Sequence, residues 1–131
     1  MTLDRLRAMK HLIAILALLC GFAGVYAQNW ADSTDIPIPP GFEEDEDARL
    51  IFDKPGGRMV EIHLYGQGEM ARILSFFEDS LPQLGWEETS QGYNEDKVFR
   101  IFEREGERLT LIIFGAGQDL NLILNVEPLS E

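Results

Sequence analysis

Between Met70 and Leu84 the apolar residues change their spacing, and this break constrains the fold more than any other feature of the chain. Met70, Ile73, Leu74, Phe77, Leu81 and Leu84 follow i, i+3, i+4, i+7, i+11 and i+14, while Glu69, Arg72, Glu78, Asp79 and Gln83 fall elsewhere on the wheel. The spacing predicts one amphipathic helix over residues 69–84. Gly85 is placed to end it in the left-handed conformation, and Pro82 to tighten or kink its last turn. Such a helix is ~24 Å long, which spans four or five strands set ~4.8 Å apart. One helix can therefore cover one face of a small sheet.

On either side of this segment the period is two. Leu50-Ile51-Phe52 reads as a strand, residues 53–57 as a turn, and residues 59–65 as a second strand with Val60, Ile62 and Leu64 on one face. Pro55-Gly56 predicts a type II turn between them. After the helix come a short strand at 86–90, a loop at 91–96 and a longer strand at 97–104. Glu105-Gly106 then makes a tight turn into a strand at 108–114, with Arg104 facing Glu107 and Glu103 facing Arg108. Residues 115–119 close the last loop. Residues 120–126 alternate, with Leu120, Leu122, Leu124 and Val126 inward and Asn121 and Asn125 outward. The expected fold is α+β: a single antiparallel sheet of about five strands in the order ββαβββ, with a weak extra strand at Trp86, covered on one face by the helix.

The N-terminal region has a different character. Arg5, Arg7 and Lys10 precede an apolar run from Leu12 to Tyr26, which ends in Val25-Tyr26-Ala27. This is the pattern of a secretory signal peptide over residues 1–27, with cleavage expected between Ala27 and Gln28. The apolar run makes a helix of roughly 22 Å, shorter than a hydrocarbon core of about 30 Å, which favours a cleaved leader over a membrane anchor. Lipid attachment at Cys20 is the other anchored alternative, and bulky Leu19 before it argues against that. Residues 28–47 read as an acidic, Pro-rich tether, because Pro37, Pro39, Pro40 and Gly41 precede five consecutive carboxylates from Glu43 to Asp47. Ile36, Ile38 and Phe42 are expected to dock this tether against the edge of an α+β domain at 48–131.

Charge and cysteine usage narrow the function classes. The 131-residue chain has a net charge of −12, and loss of a leader holding Arg5, Arg7, Lys10 and Asp4 takes it to −14. Such an excess opposes nucleic acids and anionic membrane surfaces, so any membrane contact is expected only in passing, through the leader. The single cysteine is Cys20, so the exported part has no disulfide and must rely on a packed core. That suits a periplasmic or secreted protein.

Chemical motifs are sparse, and neither a cofactor nor a metal is expected. Glu61, His63 and Tyr65 share a strand face and form a conceivable acid/base stripe, but no nucleophile or metal partner accompanies them. Glu43 to Asp47 lacks the alternate spacing and closing glutamate of a calcium loop. Gly115-Ala116-Gly117 precedes a strand, so it reads as a turn rather than a phosphate-binding loop. Phe99 and Ile101 lie on one face of their strand, Val98 and Phe102 on the other. One helix buries only one face, which makes Phe99, Ile101, Ile112 and Phe114 candidate protein-contact residues. Coverage of that second face by Ile36, Ile38 and Phe42 is the competing expectation.

Three segments carry a resemblance. Ile36-Pro37-Ile38-Pro39-Pro40-Gly41-Phe42, then Phe52-Asp53-Lys54-Pro55-Gly56-Gly57-Arg58, then residues 76–86 with Phe76-Phe77, Leu84, Gly85 and Trp86 resemble small exported bacterial modules, periplasmic or lipoprotein, of uncharacterised function. These have a Pro-x-x-Pro-Gly segment and a helix ending in Leu-Gly-Trp. The resemblance implies a bacterial envelope address and a fold, and no reaction. The expected role is a non-enzymatic exported domain that binds another envelope protein. The alternative is an acidic inhibitor or immunity-like protein for a cationic envelope enzyme.

Overall fold

The helical spacing is realised where it was expected. In the computed structural model, which describes residues 35–129, helix α1 runs over Met70–Gln83 and buries Ile73, Phe77 and Leu81. Met70, Leu74, Phe76 and Leu84 pack at its margins. Gly85 takes φ +88°, and its N–H donates to the Pro82 carbonyl at 3.1 Å, while the Trp86 N–H donates to that of Leu81 at 3.1 Å. This pair of bonds satisfies the helix's last carbonyls and turns the chain back toward the sheet.

The strands are β1 (Phe42–Glu44), β2 (Leu50–Lys54), β3 (Gly57–Gln67), β4 (Glu87–Asn94), β5 (Lys97–Arg104), β6 (Glu107–Ala116) and β7 (Asp119–Pro128), with a 3-10 turn at Glu46–Ala48. All pair antiparallel in one sheet. Across it the order is β4-β5-β6-β7-β3, and the far edge of β3 is shared. There β1 pairs with Leu64 to Gly66 and β2 with Gly57 to Glu61, end to end.

Among the described residues the α+β class, the antiparallel sheet and the single helix therefore stand. The strand number and order need correction: the sheet is 7-stranded, in the order βββαββββ. One added strand is β1. Another change is at β4, a full strand through Asn94 rather than a short strand followed by a loop at 91–96. Its sequence shows no apolar alternation because it is an edge strand, with nearly every residue exposed and its backbone ladder shared with β5 alone. The turn at Pro55-Gly56 also differs from expectation. The positive φ falls on Gly57 (+141°) and not on Gly56, so the turn is not type II. A type II turn does form at the other Pro-Gly pair: Gly41 has φ +84° and the Phe42 N–H donates to the Pro39 carbonyl at 3.1 Å.

The helix alone cannot cover this sheet. Six strand positions span ~24 Å, whereas a helix with its side chains is ~10 Å wide. The remaining area is taken by residues 35–42, which lie as a strap beside α1. At one end the Asp35 carboxylate accepts two hydrogen bonds from Arg104, at 2.7 and 3.1 Å, and Arg104 also donates to the Leu84 carbonyl at 2.9 Å. At the other end Phe42 pairs with Gly66, and its ring lies close to Gly68 just before the helix begins. The strap thus runs antiparallel to α1. Ile36 is fully buried and Phe42 is 5% exposed, both within the core formed by Val60, Ile62, Leu64, Leu109, Leu111, Ile113, Leu122 and Leu124.

Arg104 fastens the layers together. Its guanidinium lies over the Trp86 ring at 4.2 Å, between the end of the helix and the start of the strap. Its hydrogen bonds hold the Asp35 carboxyl below its ordinary pKa, and Asp35 in turn raises that of Arg104. Among the described residues Arg100 is the one charged residue buried on this face; it lies between Glu78 (3.9 Å) and Glu88 (3.8 Å).

Candidate functional site

Both covering elements lie on one side, and the opposite face of the sheet has a composition of its own. Register places Phe99 opposite Ile112, Ile112 opposite Ile123, and Ile123 opposite His63, which makes a transverse row across four strands. The row continues to Gly92 on β4, where the Phe99 ring occupies the space a side chain would need. Ile101 flanks it on one side and Phe114 on the other, with the Lys97 ammonium 5.2 Å from the Phe114 ring centre. All five apolar residues are partly buried and remain accessible at the surface.

Each of the four expected contact residues, Phe99, Ile101, Ile112 and Phe114, therefore lies on the sheet face opposite the helix. Ile36 and Phe42 belong to the helix-side core, so they do not cover this face. Ile123 was missed, although its position between the inward Leu122 and Leu124 fixes it outward. The expected cleavage residues Ala27 and Gln28 lie outside the described residues.

A polar border surrounds the row. His63 Nε2 lies 2.8 Å from Glu61 Oε1, and Asn125 donates to Glu61 Oε2 at 3.3 Å. The Tyr65 hydroxyl donates to Glu43 at 3.1 Å, and this acceptor pushes the phenol pKa upward. Arg108 donates twice to Glu103, at 3.0 and 3.3 Å. The Glu61, His63 and Tyr65 stripe is thus real as a face but divided as a unit, since Tyr65 binds Glu43 and only Glu61 joins His63. No hydroxyl or thiol shares a hydrogen bond with His63 among the described residues. The arrangement sets paired polar groups around an apolar strip.

The carboxylate run is also placed. Glu43 receives Tyr65, Glu44 pairs with Arg49 at 2.6 Å, and Glu46 and Asp47 lie in the 3-10 turn. Among the described residues no group of three or more His, Cys, Asp or Glu side chains is arranged to hold a metal ion, and no helix is long and apolar enough to cross a membrane. A concavity between the β2–β3 turn and the end of β7 is lined by Lys54, Arg108 and Glu127, with Lys54 paired to Glu127 at 3.3 Å. No protein-family model, curated protein or solved structure matches this chain.

Proposed function

We propose that this chain is a non-enzymatic exported domain of a bacterial cell envelope that binds another protein through the sheet face opposite α1. The observation that carries the reading is the row Phe99–Ile112–Ile123, with Ile101 and Phe114 beside it, which neither the helix nor the strap covers. An apolar strip with a rim of paired polar side chains favours a protein surface over a small ligand, because it lies on the outer sheet face, outside the core. The leader-like N-terminus and the resemblance to exported modules support the envelope address. The test is an affinity capture from a periplasmic fraction using the wild-type chain and Ile112→Asp, with low- and high-salt washes. Capture that survives high salt and is lost in Ile112→Asp supports the reading; equal capture by both forms refutes it.

The net charge of −12 favours a second reading, an acidic inhibitor of a cationic envelope enzyme. Glu87, Glu95, Asp96 and Glu105 are exposed at β4 and the adjoining turns, where a basic surface could approach. Capture of this kind falls steeply as salt rises and is indifferent to Ile112→Asp.

A further inference from the structure

The two edges of the sheet are built differently. At β4 the edge carries Glu87 and Glu88 and is interrupted by a bulge between Glu88 and Ser90, devices that discourage another strand from pairing with it. At β2 the edge carries Leu50, Ile51 and Phe52 in succession, 44%, 47% and 49% exposed, with charged residues only at its ends. An uninterrupted apolar edge of this kind is a template for a further strand.

Backbone direction adds to the contrast. The Asp45 N–H donates to the His63 carbonyl at 2.9 Å, so odd-numbered residues of β3 turn their backbone groups toward the β1 and β2 side. Leu50 opposite Glu61, Phe52 opposite Met59 and Lys54 opposite Gly57 are then the hydrogen-bonded pairs of the β2–β3 ladder. Ile51 and Asp53 direct their N–H and C=O groups away from the sheet.

We propose that a second copy of this chain pairs with β2, antiparallel and about a twofold axis at Ile51. The residue order of the strand is self-complementary in that register. Ile51 of one protomer lies opposite Ile51 of its partner, Leu50 lies opposite Phe52, and Asp53 of each copy lies beside Arg49 of the other. Apolar residues meet in the middle, as an isologous contact requires, and the charges at its two ends are of opposite sign, with Arg49 held by Glu44 and Asp53 by Arg58 within each protomer. A contact of five residues per chain buries well under the ~1,000 Å² of a stable interface, so the dimer is reversible and concentration-dependent. Its axis is perpendicular to the sheet. Both Phe99–Ile112–Ile123 rows therefore face the same way on one continuous sheet, which would give a bivalent surface to any partner of that face.

The test uses two substitutions at one exposed position. Sedimentation equilibrium of the full chain is measured for the wild type, for Ile51→Lys, for Ile51→Glu and for an equimolar mixture of the two variants. The wild type is expected to show a monomer–dimer equilibrium. Each variant alone sets like charges against each other at the twofold axis and should weaken association at least tenfold, with an unchanged circular dichroism spectrum. The mixture sets lysine against glutamate and should recover the dimer. A wild type that stays monomeric at millimolar concentration overturns the proposal. So does a dimer that both variants retain, or a mixture that fails to recover, since either places the contact elsewhere.

Discussion

Replacing Ile36 by alanine tests whether the Pro-rich segment is a tether or a structural layer. Ile36 has no exposed surface and lies in the central core. The substitution removes three carbon atoms, a transfer loss of roughly 2.4 kcal/mol at about 0.8 kcal/mol per buried methylene. Partial collapse of the site leaves a residual cavity, which raises the expected loss to about 3–4 kcal/mol. For a domain near 100 residues this lowers Tm by roughly 12–25 °C. Ile38, only partly buried, should cost about 1–2 kcal/mol in the same substitution.

The assay is urea unfolding of the wild type, Ile36→Ala and Ile38→Ala, followed by tryptophan fluorescence, because Trp86 is buried near Arg104 at the same end of the strap. The m-value should stay constant while the midpoint falls, since the folded state keeps its buried surface. A loss below about 1 kcal/mol for Ile36→Ala, or equal losses at the two positions, would refute the reasoning. It would mean that residues 35–42 rest on the domain without sealing it.

Further outcomes follow from the backbone and the strap. At Gly66 a Cβ would sit 2.4 Å from the Gly41 carbonyl oxygen and 2.8 Å from Phe42 Cγ, so Gly66→Ala should displace β1 and cost about 1–3 kcal/mol in denaturant melts. At Gly117, with φ +63° and nothing within 4 Å, the same change should cost only the left-handed backbone penalty of about 1–2 kcal/mol. Glu105 holds φ +47° ahead of Gly106 at +80°, so Glu105→Asn supplies the residue pair this turn prefers and should stabilise the domain by up to about 1 kcal/mol. The pKa of Asp35 is lowered from 3.8, so its contribution is present above that value and is lost as pH falls through the lower folded value. The carboxylate is 55% exposed, which limits the effect to under about 1 kcal/mol. Acid titration should accordingly show a slightly flatter low-pH limb in Asp35→Asn.

The elements that could be read directly are those whose burial is one-sided. The period of α1 and the alternation in β7 each record a face turned to the core. Elements held by pairing or by context left weaker traces. Glu87–Asn94 has no apolar stripe, and only the ladder with β5 makes it a strand. Phe42–Glu44 is too short and too acidic to announce β1, yet one buried ring and three register positions on β3 hold it. Docking of the strap was legible from Ile36, Ile38 and Phe42, but the surface it covers was not; its prolines exclude regular structure but not packing, and Pro37 and Pro39 are themselves buried. At the sheet face opposite the helix, parity identified Phe99, Ile101, Ile112 and Phe114. The same parity would have found Ile123 and the outward Leu50 and Phe52, had short apolar runs been divided residue by residue.

The outer row could serve the sheet instead of a partner, because β-branched and aromatic residues stabilise strands through their cross-strand neighbours by about 0.2–1 kcal/mol per pair. Ile112→Thr separates the two roles. Threonine keeps the branch at Cβ and therefore the strand preference, but it places a hydroxyl at the centre of the row between Phe99 and Ile123. Ile112 is already partly accessible, so the hydroxyl keeps contact with water and the stability loss should stay near 1 kcal/mol. Capture of a partner should fall at least tenfold, because on binding the same hydroxyl is desolvated in the middle of an apolar contact. A stability loss above about 2 kcal/mol with capture unchanged would assign the row to the sheet itself and remove the basis for a binding face.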